Sequence, residues 1–198
     1  SQLLRWMRDS AEVPRSDLEI KYHGDDRLCR RRRPSASYGA IESPAAEGSP
    51  AFFSHGAVLI TGGLGGLGVR AAELLVSSGS TEVVLSSRSG RIARDGQGLE
   101  AKMLALIQSG AAQIAVADVA DALDACSLSS GVGAGLSGVL HAAGVLRDKL
   151  LRVMSYRDVS AVFAPKALAA SHVDQATKHT PLQALLHFSS IAAALGNP

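Results

Sequence analysis

From His55 onward, short apolar runs alternate with longer stretches in which apolar positions recur every three or four residues. The short runs predict strands at Ala57–Thr61, Glu82–Ser86, Gln113–Ala117, Gly138–Ala142 and Leu182–Ser189. The longer stretches predict helices at Gly66–Ser78, Leu99–Ser109 and Tyr156–Thr177, with a weaker one near Ala120–Cys126. Strands that are apolar nearly throughout, each followed by a helix, predict a parallel sheet. Only a sheet covered on both faces keeps such strands from water. Ahead of this region, residues 1–34 are charged and irregular, with one candidate strand at Leu18–Tyr22. Residues 35–54 are rich in Ser, Ala, Gly and Glu, contain Pro44 and Pro50, and read as a linker. No internal repeat is visible.

Composition narrows the class. The 198 residues are 46% apolar and 19% charged, as in a folded globular chain. A net charge of +2 is too small to imply a polyanionic partner. The basic run Arg30–Arg33 lacks a basic helix or an aromatic platform, so it reads as a solvated strand edge and not as a nucleic-acid site. Cys29 and Cys126 make no disulfide framework, which points to a reducing, intracellular, cytoplasmic setting. No apolar run approaches the roughly 18 residues of a membrane span. The six histidines show no metal-ligand spacing, so no metal is expected; His141 and His187 lie on apolar strands and are expected in or near the core. The start at Ser1 and the stop at Asn197-Pro198, just after a strand, read as cuts through a longer polypeptide.

The strongest local signal is the segment from Ala57 to Gly68, Ala-Val-Leu-Ile-Thr-Gly-Gly-Leu-Gly-Gly-Leu-Gly. Gly63, Gly65 and Gly68 satisfy G-x-G-x-x-G, and Thr61, Gly62, Gly66 and Gly68 satisfy T-G-x-x-x-G-x-G. An apolar strand that runs into such a cluster and opens a helix lets the backbone approach a pyrophosphate. The free amides of the helix start then face the phosphates. The alternative is a glycine-rich turn that serves packing alone. The next strand ends Leu85-Ser86-Ser87-Arg88-Ser89. An NAD site usually carries an acid there for the ribose 2′-hydroxyl. Here Arg88 offers a planar fork of donors to a 2′-phosphate, with the Ser87 and Ser89 hydroxyls beside it, which favours NADPH over a solvated loop arginine.

Taken in order, Thr61-Gly-Gly-Leu-Gly-Gly-Leu-Gly68, Ser87-Arg-Ser-Gly90, Asp118-Val119, His141-Ala-Ala-Gly-Val145 and Phe188-Ser-Ser190 resemble the ketoreductase domain of modular polyketide synthases and animal-type fatty acid synthases. The likeness covers residues 55–198. Asp17–Gly24 with the arginines that follow resembles, more weakly, the tail of the non-catalytic structural half that precedes the catalytic half, which gives three zones: 1–34, the linker 35–54, and 55–198.

The resemblance implies an α/β, Rossmann-like doubly wound parallel sheet of order 3-2-1-4-5, with NADPH at the crevice where the order reverses. It implies that Thr61, Gly62, Gly63, Leu64, Gly65, Gly66, Leu67 and Gly68 form the phosphate turn. Asp118 would bond the adenine amino group with Val119 beside it, or else cap a helix. Ala142, Ala143 and Gly144 would line the cofactor, or else serve tight packing. Lys166 would hold the nicotinamide ribose and lower the pKa of a catalytic tyrosine, against the default of an exposed helix lysine. Ser190 would bond the substrate carbonyl oxygen. That tyrosine is expected beyond Pro198; Tyr22, Tyr38 and Tyr156 do not match its position, so the 198 residues alone are expected to bind NADPH weakly and without turnover.

Leu146-Arg147-Asp148 resembles a leucine–aspartate–aspartate signature of enzymes that give the D-configured alcohol. Asp148 keeps its diagnostic residue and Arg147 departs from it. The implied reaction is reduction of a β-ketoacyl thioester, borne on the phosphopantetheine arm of an acyl carrier protein among neighbouring synthase domains. Two rivals are a short-chain dehydrogenase acting on a free ketone or alcohol, and a non-catalytic nucleotide-binding scaffold.

Overall fold

The computed structural model describes residues 19–23, 26–30, 55–80, 82–92 and 98–190. The chain divides into two compact units: Pro44–Phe188, and Ser1–Ser43 together with Ser189–Pro198. In the smaller unit, β1 (Glu19–His23) pairs antiparallel with β2 (Asp26–Arg30), in a register that sets His23 opposite Asp26. The expected strand there is present one residue later, and Arg30 ends its partner. The expected linker, 35–54, lies outside the described residues.

The larger unit is built on β3 (Ala57–Thr61), β4 (Glu82–Ser87), β5 (Ala112–Val116), β6 (Leu136–His141) and β7 (Ala184–His187). Their order across the sheet is β5-β4-β3-β6-β7, all parallel. Counted from β3, that is the expected order 3-2-1-4-5. Every residue of β3 and of β6 is buried. Side chains alternate between faces. Val58, Ile60, Val83, Leu85 and Leu140 belong to one apolar cluster, and Leu59, Val84 and Val139 belong to a second. The first face is covered by α1 (Gly66–Ser77) and α2 (Leu99–Gln108), which contribute Val69, Ala72, Leu99 and Leu106. The second is covered by α3 (Ala122–Val132) and α5 (Ala169–Thr177), which contribute Leu128, Val132, Ala169 and Val173. Each fully buried Leu, Ile or Val contributes about 1.5–3 kcal/mol, so this double covering holds the sheet and not any single polar contact.

Between β6 and α5 the chain is helical over Tyr156–Thr177, as expected, but not uniformly. α4 (Tyr156–Phe163) opens on a capping box: the Ser155 hydroxyl accepts from the Asp158 amide, and the Asp158 carboxylate accepts from the Ser155 amide. Lys149 donates to the same carboxylate at 2.7 Å. A π-helical turn, Ala164–Leu168, then joins α4 to α5. Pro165 sits inside it and has no amide hydrogen to give, which suits a turn that breaks the regular hydrogen-bond ladder.

Candidate functional site

At the carboxyl ends of β3, β4 and β6, where the strand order reverses, lies a cleft of about 470 Å³. Its lining includes Gly62, Leu64 and Gly65 from the turn after β3, and Ser86, Ser87, Arg88, Ser89 and Arg91 from the end of β4 and its loop. Ala117, Asp118 and Val119 follow β5; Ala142, Ala143, Gly144 and Val145 follow β6; Pro165 comes from the π turn. No residue from Ser86 to Ile92 is acidic.

The turn is held by geometry that only small residues permit. Gly62 has φ +69°, and a Cβ there would stand 2.5 Å from the Ala143 Cα. The glycines of the turn divide their work. Gly62 and Gly65 line the cleft, while Gly63 lies against Leu85 and Gly68 lies against Gly63. A Cβ on Gly68 would come 2.5 Å from the Gly63 Cα, so α1 packs on its own entry turn. Gly65 precedes α1 with no side-chain cap, and Gly66 begins the helix. The amides of that first turn therefore keep their donors for a ligand or solvent. Leu67 points away, 60% exposed. Thr61 is fully buried behind the turn.

Asp118 lines the cleft and accepts from the Ala120 amide at 3.1 Å. It does not cap the next helix. Asp121 does, accepting from the Leu123 and Asp124 amides at 2.8 and 3.2 Å, because α3 starts two residues later than expected. Val119 is both core and cleft. Lys166 is an exposed residue of the π turn, and its stem crosses the loop after β6. A Cβ on Gly144 would meet its Cε at 3.0 Å and its Cγ at 3.7 Å. Asp148 is exposed on the loop after β6 and is not among the cleft residues. Ser189 and Ser190 follow β7, belong to the smaller unit and are exposed. His187, placed in or near the core by its apolar strand, is instead exposed, because the last strand occupies the sheet edge.

Sequence reasoning passes over Ser86, Arg91 and the partners of His141. The Ser86 hydroxyl is buried in the cleft wall without a hydrogen-bond partner. His141, 3% exposed at the end of β6, has two. Its Nδ1 lies 2.6 Å from the Thr61 hydroxyl and its Nε2 lies 3.2 Å from the Lys166 carbonyl oxygen. The carbonyl can only accept, so Nε2 carries the proton and Nδ1 accepts from Thr61. Burial holds the His141 imidazole below its ordinary 6.5, with the neighbouring His187 acting in the same direction and the Lys166 and Pro165 carbonyls opposing. Below pH 6.5 the unfolded chain takes up a proton that the folded chain refuses, so stability falls with pH through that point. Denaturation midpoints measured from about pH 7.5 to 5.5 are expected to drop for the unaltered chain and to drop less for His141→Gln. Equal slopes would show that His141 does not contribute to the loss.

The sequence profile of the KR domain matches residues 56–198. The chain belongs to the KR domain family. It is a polyketide synthase ketoreductase domain of the short-chain dehydrogenase/reductase superfamily. This KR domain is 36% identical, over 83% of its length, to a mycocerosic acid synthase-like polyketide synthase of Mycobacterium tuberculosis, and covers 8% of that protein. It is 41% identical over 78% of its length to the spectinabilin polyketide synthase system protein NorA' of Streptomyces orinoci, covering 4% of it. A solved ketoreductase domain from the bacillaene assembly line superposes with a TM-score of 0.69 at 26% identity, over 98% of this chain and 44% of that one. The KR domain thus spans less than a tenth of the length of these curated relatives. Among the described residues, no helix is long and apolar enough to cross a membrane, and no cluster of His, Cys, Asp and Glu is arranged to hold a metal.

Proposed function

We propose that this KR domain reduces a β-ketoacyl thioester to a β-hydroxyacyl thioester with NADPH, the acyl group being carried on the phosphopantetheine arm of an acyl carrier protein within a larger synthase. One observation carries the reading. A single cleft joins the glycine turn, two arginines in the acid-free stretch Ser86–Ile92 that ends β4 and follows it, and the loop crossed by the Lys166 stem.

The residues fit the cofactor end to end. The uncapped amides at the start of α1 suit a pyrophosphate, and Gly62 and Gly65 leave the space a side chain would fill. Arg88 and Arg91 suit a 2′-phosphate, and the Ser86 hydroxyl, otherwise without a partner, suits the adjacent ribose. Asp118 and Val119 take the adenine, with Ala142, Ala143 and Gly144 beneath the sugars. Bound there, NADPH supplies a hydride. Lys166 holds the nicotinamide ribose and, as a nearby cation, favours the ionised form of a proton-donating tyrosine. Ser190 bonds the ketone oxygen and stabilises the charge that builds on it. Asp148 biases the face from which the ketone is approached, toward the D-configured alcohol. We assign the hairpin and the residues around it to the structural half that precedes the catalytic half in such synthases, and a cytoplasmic location to the parent.

The test is turnover. A polypeptide carrying this domain whole is expected to oxidise NADPH with a β-ketoacyl thioester and release one β-hydroxyacyl product per NADPH. Lys166→Met is expected to lower kcat by about 100-fold, as for loss of one group in acid–base chemistry. Reduction of free ketones with no preference for the thioester would instead favour a stand-alone short-chain dehydrogenase.

A further inference from the structure

The cleft has two halves, and one buried side chain ties them together. Thr61 is the residue before Gly62, so its position fixes the start of the phosphate turn; it is fully buried. Its hydroxyl and the Lys166 carbonyl, far apart in the chain, meet on opposite nitrogens of one imidazole. Main-chain bonds hold that imidazole's own backbone. The Ala142 amide donates to the Thr61 carbonyl, and the Phe188 amide donates to the His141 carbonyl, both at 2.9 Å. The ring is thus anchored on a rigid strand, while the turn it reaches is not regular. Pro165 leaves the π turn short of a backbone donor, and the Lys166 side chain leaves that turn across Gly144. The groups that face His141 are Thr61 on β3, Lys166 and Pro165 on the π turn, and His187 on β7, whose ring stands edge-on at 5.6 Å.

We propose that His141 is a positioning residue for Lys166. Its Nε2–H holds the lysine-bearing turn by the Lys166 carbonyl, and its Nδ1 accepts from Thr61. This locks the nicotinamide-ribose half of the cleft in register with the phosphate turn. The proposal rests on the reading of Lys166 as a cofactor contact, and its test separates the two.

His141→Leu fills the space and donates nothing; His141→Gln keeps an N–H within reach of the same carbonyl. Two ligands are titrated into each variant: NADPH, and 2′,5′-ADP, which lacks the nicotinamide half. In the Leu variant NADPH is expected to bind about tenfold more weakly, the effect of one lost charge-assisted contact, while 2′,5′-ADP binds as before. The Gln variant is expected to recover most of the NADPH affinity. Equal weakening of both ligands, or no recovery in the Gln variant, overturns the positioning role.

A ligand-free readout runs alongside. Lys166 is labelled with a small acetylating reagent and read by peptide mass spectrometry against Lys178. Its labelling rate is expected to change in the Leu variant and return in the Gln variant, and ring-nitrogen NMR is expected to find the His141 proton on Nε2. If the unaltered chain binds neither nucleotide but the labelling follows this pattern, the cofactor reading fails and the positioning role stands. If labelling ignores the variants, the positioning role fails whatever the nucleotides do.

Discussion

Arg88→Asp is expected to weaken NADPH binding by about 100-fold, while NADH binding changes by less than about threefold. Hydrogen bonds to charged groups are worth about 1.5–3 kcal/mol, and about 1.4 kcal/mol is a factor of ten. The substitution removes a planar donor fork and sets a carboxylate against the 2′-phosphate, so its cost reaches the upper part of that range. Arg91 lines the same cleft and retains part of the attraction, which keeps the loss finite. NADH has no 2′-phosphate, and its ribose 2′-hydroxyl donates to an acid in this position in NAD-specific folds of this kind. Arg88→Lys is expected to fall between, because an ammonium keeps the charge without the fork. Equilibrium titration of both nucleotides into all three chains checks this. A parallel loss for NADH and NADPH would detach Arg88 from the phosphate.

Gly62→Val is expected to abolish measurable nucleotide binding and to lower the Tm by about 4–20 °C. Two costs combine. A left-handed φ of +69° disfavours a β-branched residue by about 1–2 kcal/mol. A Cβ placed 2.5 Å from the Ala143 Cα meets backbone, which cannot rotate aside, and such overpacking costs about 1–3 kcal/mol. A domain of this size loses about 2–4 °C per kcal/mol. The turn after β3 and the loop after β6 must part, and those are two walls of the cleft. Gly131→Ala is the control. It lies in α3, where a Cβ meets nothing within 4 Å, so thermal stability is expected to hold or rise slightly. If Gly62→Val melted like the control, the close approach of these loops would be refuted.

The sheet order can be read from the chain because both faces are covered. Val58 to Ile60 and Val83 to Leu85 must be apolar on either side, and a continuous apolar run is hard to miss. Ends are less legible. The apolar pattern predicts the last strand over Leu182–Ser189, and it spans Ala184–His187, although the Gln183 amide still bonds the Ser137 carbonyl and the Phe188 amide still bonds the His141 carbonyl. Helix α3, predicted at Ala120–Cys126, runs Ala122–Val132. Asp118, Asp121 and Asp124 compete as caps, and the serines and glycine of its second half blur the apolar period, though Leu128 and Val132 still reach the core. The second hairpin strand, Asp26–Arg30, has polar residues where alternation would signal a strand.

The cleft is legible where a residue type is forced by chemistry, as at the glycines and Arg88. It is not legible where partners come from distant parts of the chain. Nothing in the segment around His141 announces that Thr61 and Lys166 will close on its ring, and the unpartnered Ser86 hydroxyl appears only once the strands are assembled.

One binding event underlies all of this chemistry: the turn after β3 takes the pyrophosphate while the end of β4 takes the 2′-phosphate. Amide chemical-shift mapping of the unaltered 198-residue chain during NADPH titration tests it most directly. The predicted result is saturable shifts centred on the amides of Gly62–Gly68, Ser87–Arg91, Asp118–Val119, Ala142–Gly144 and Lys166, with none at the groove between β5 and α3 lined by Gln113, Ser127 and Gly131. Shifts absent up to millimolar NADPH, or centred on that second groove, would contradict it.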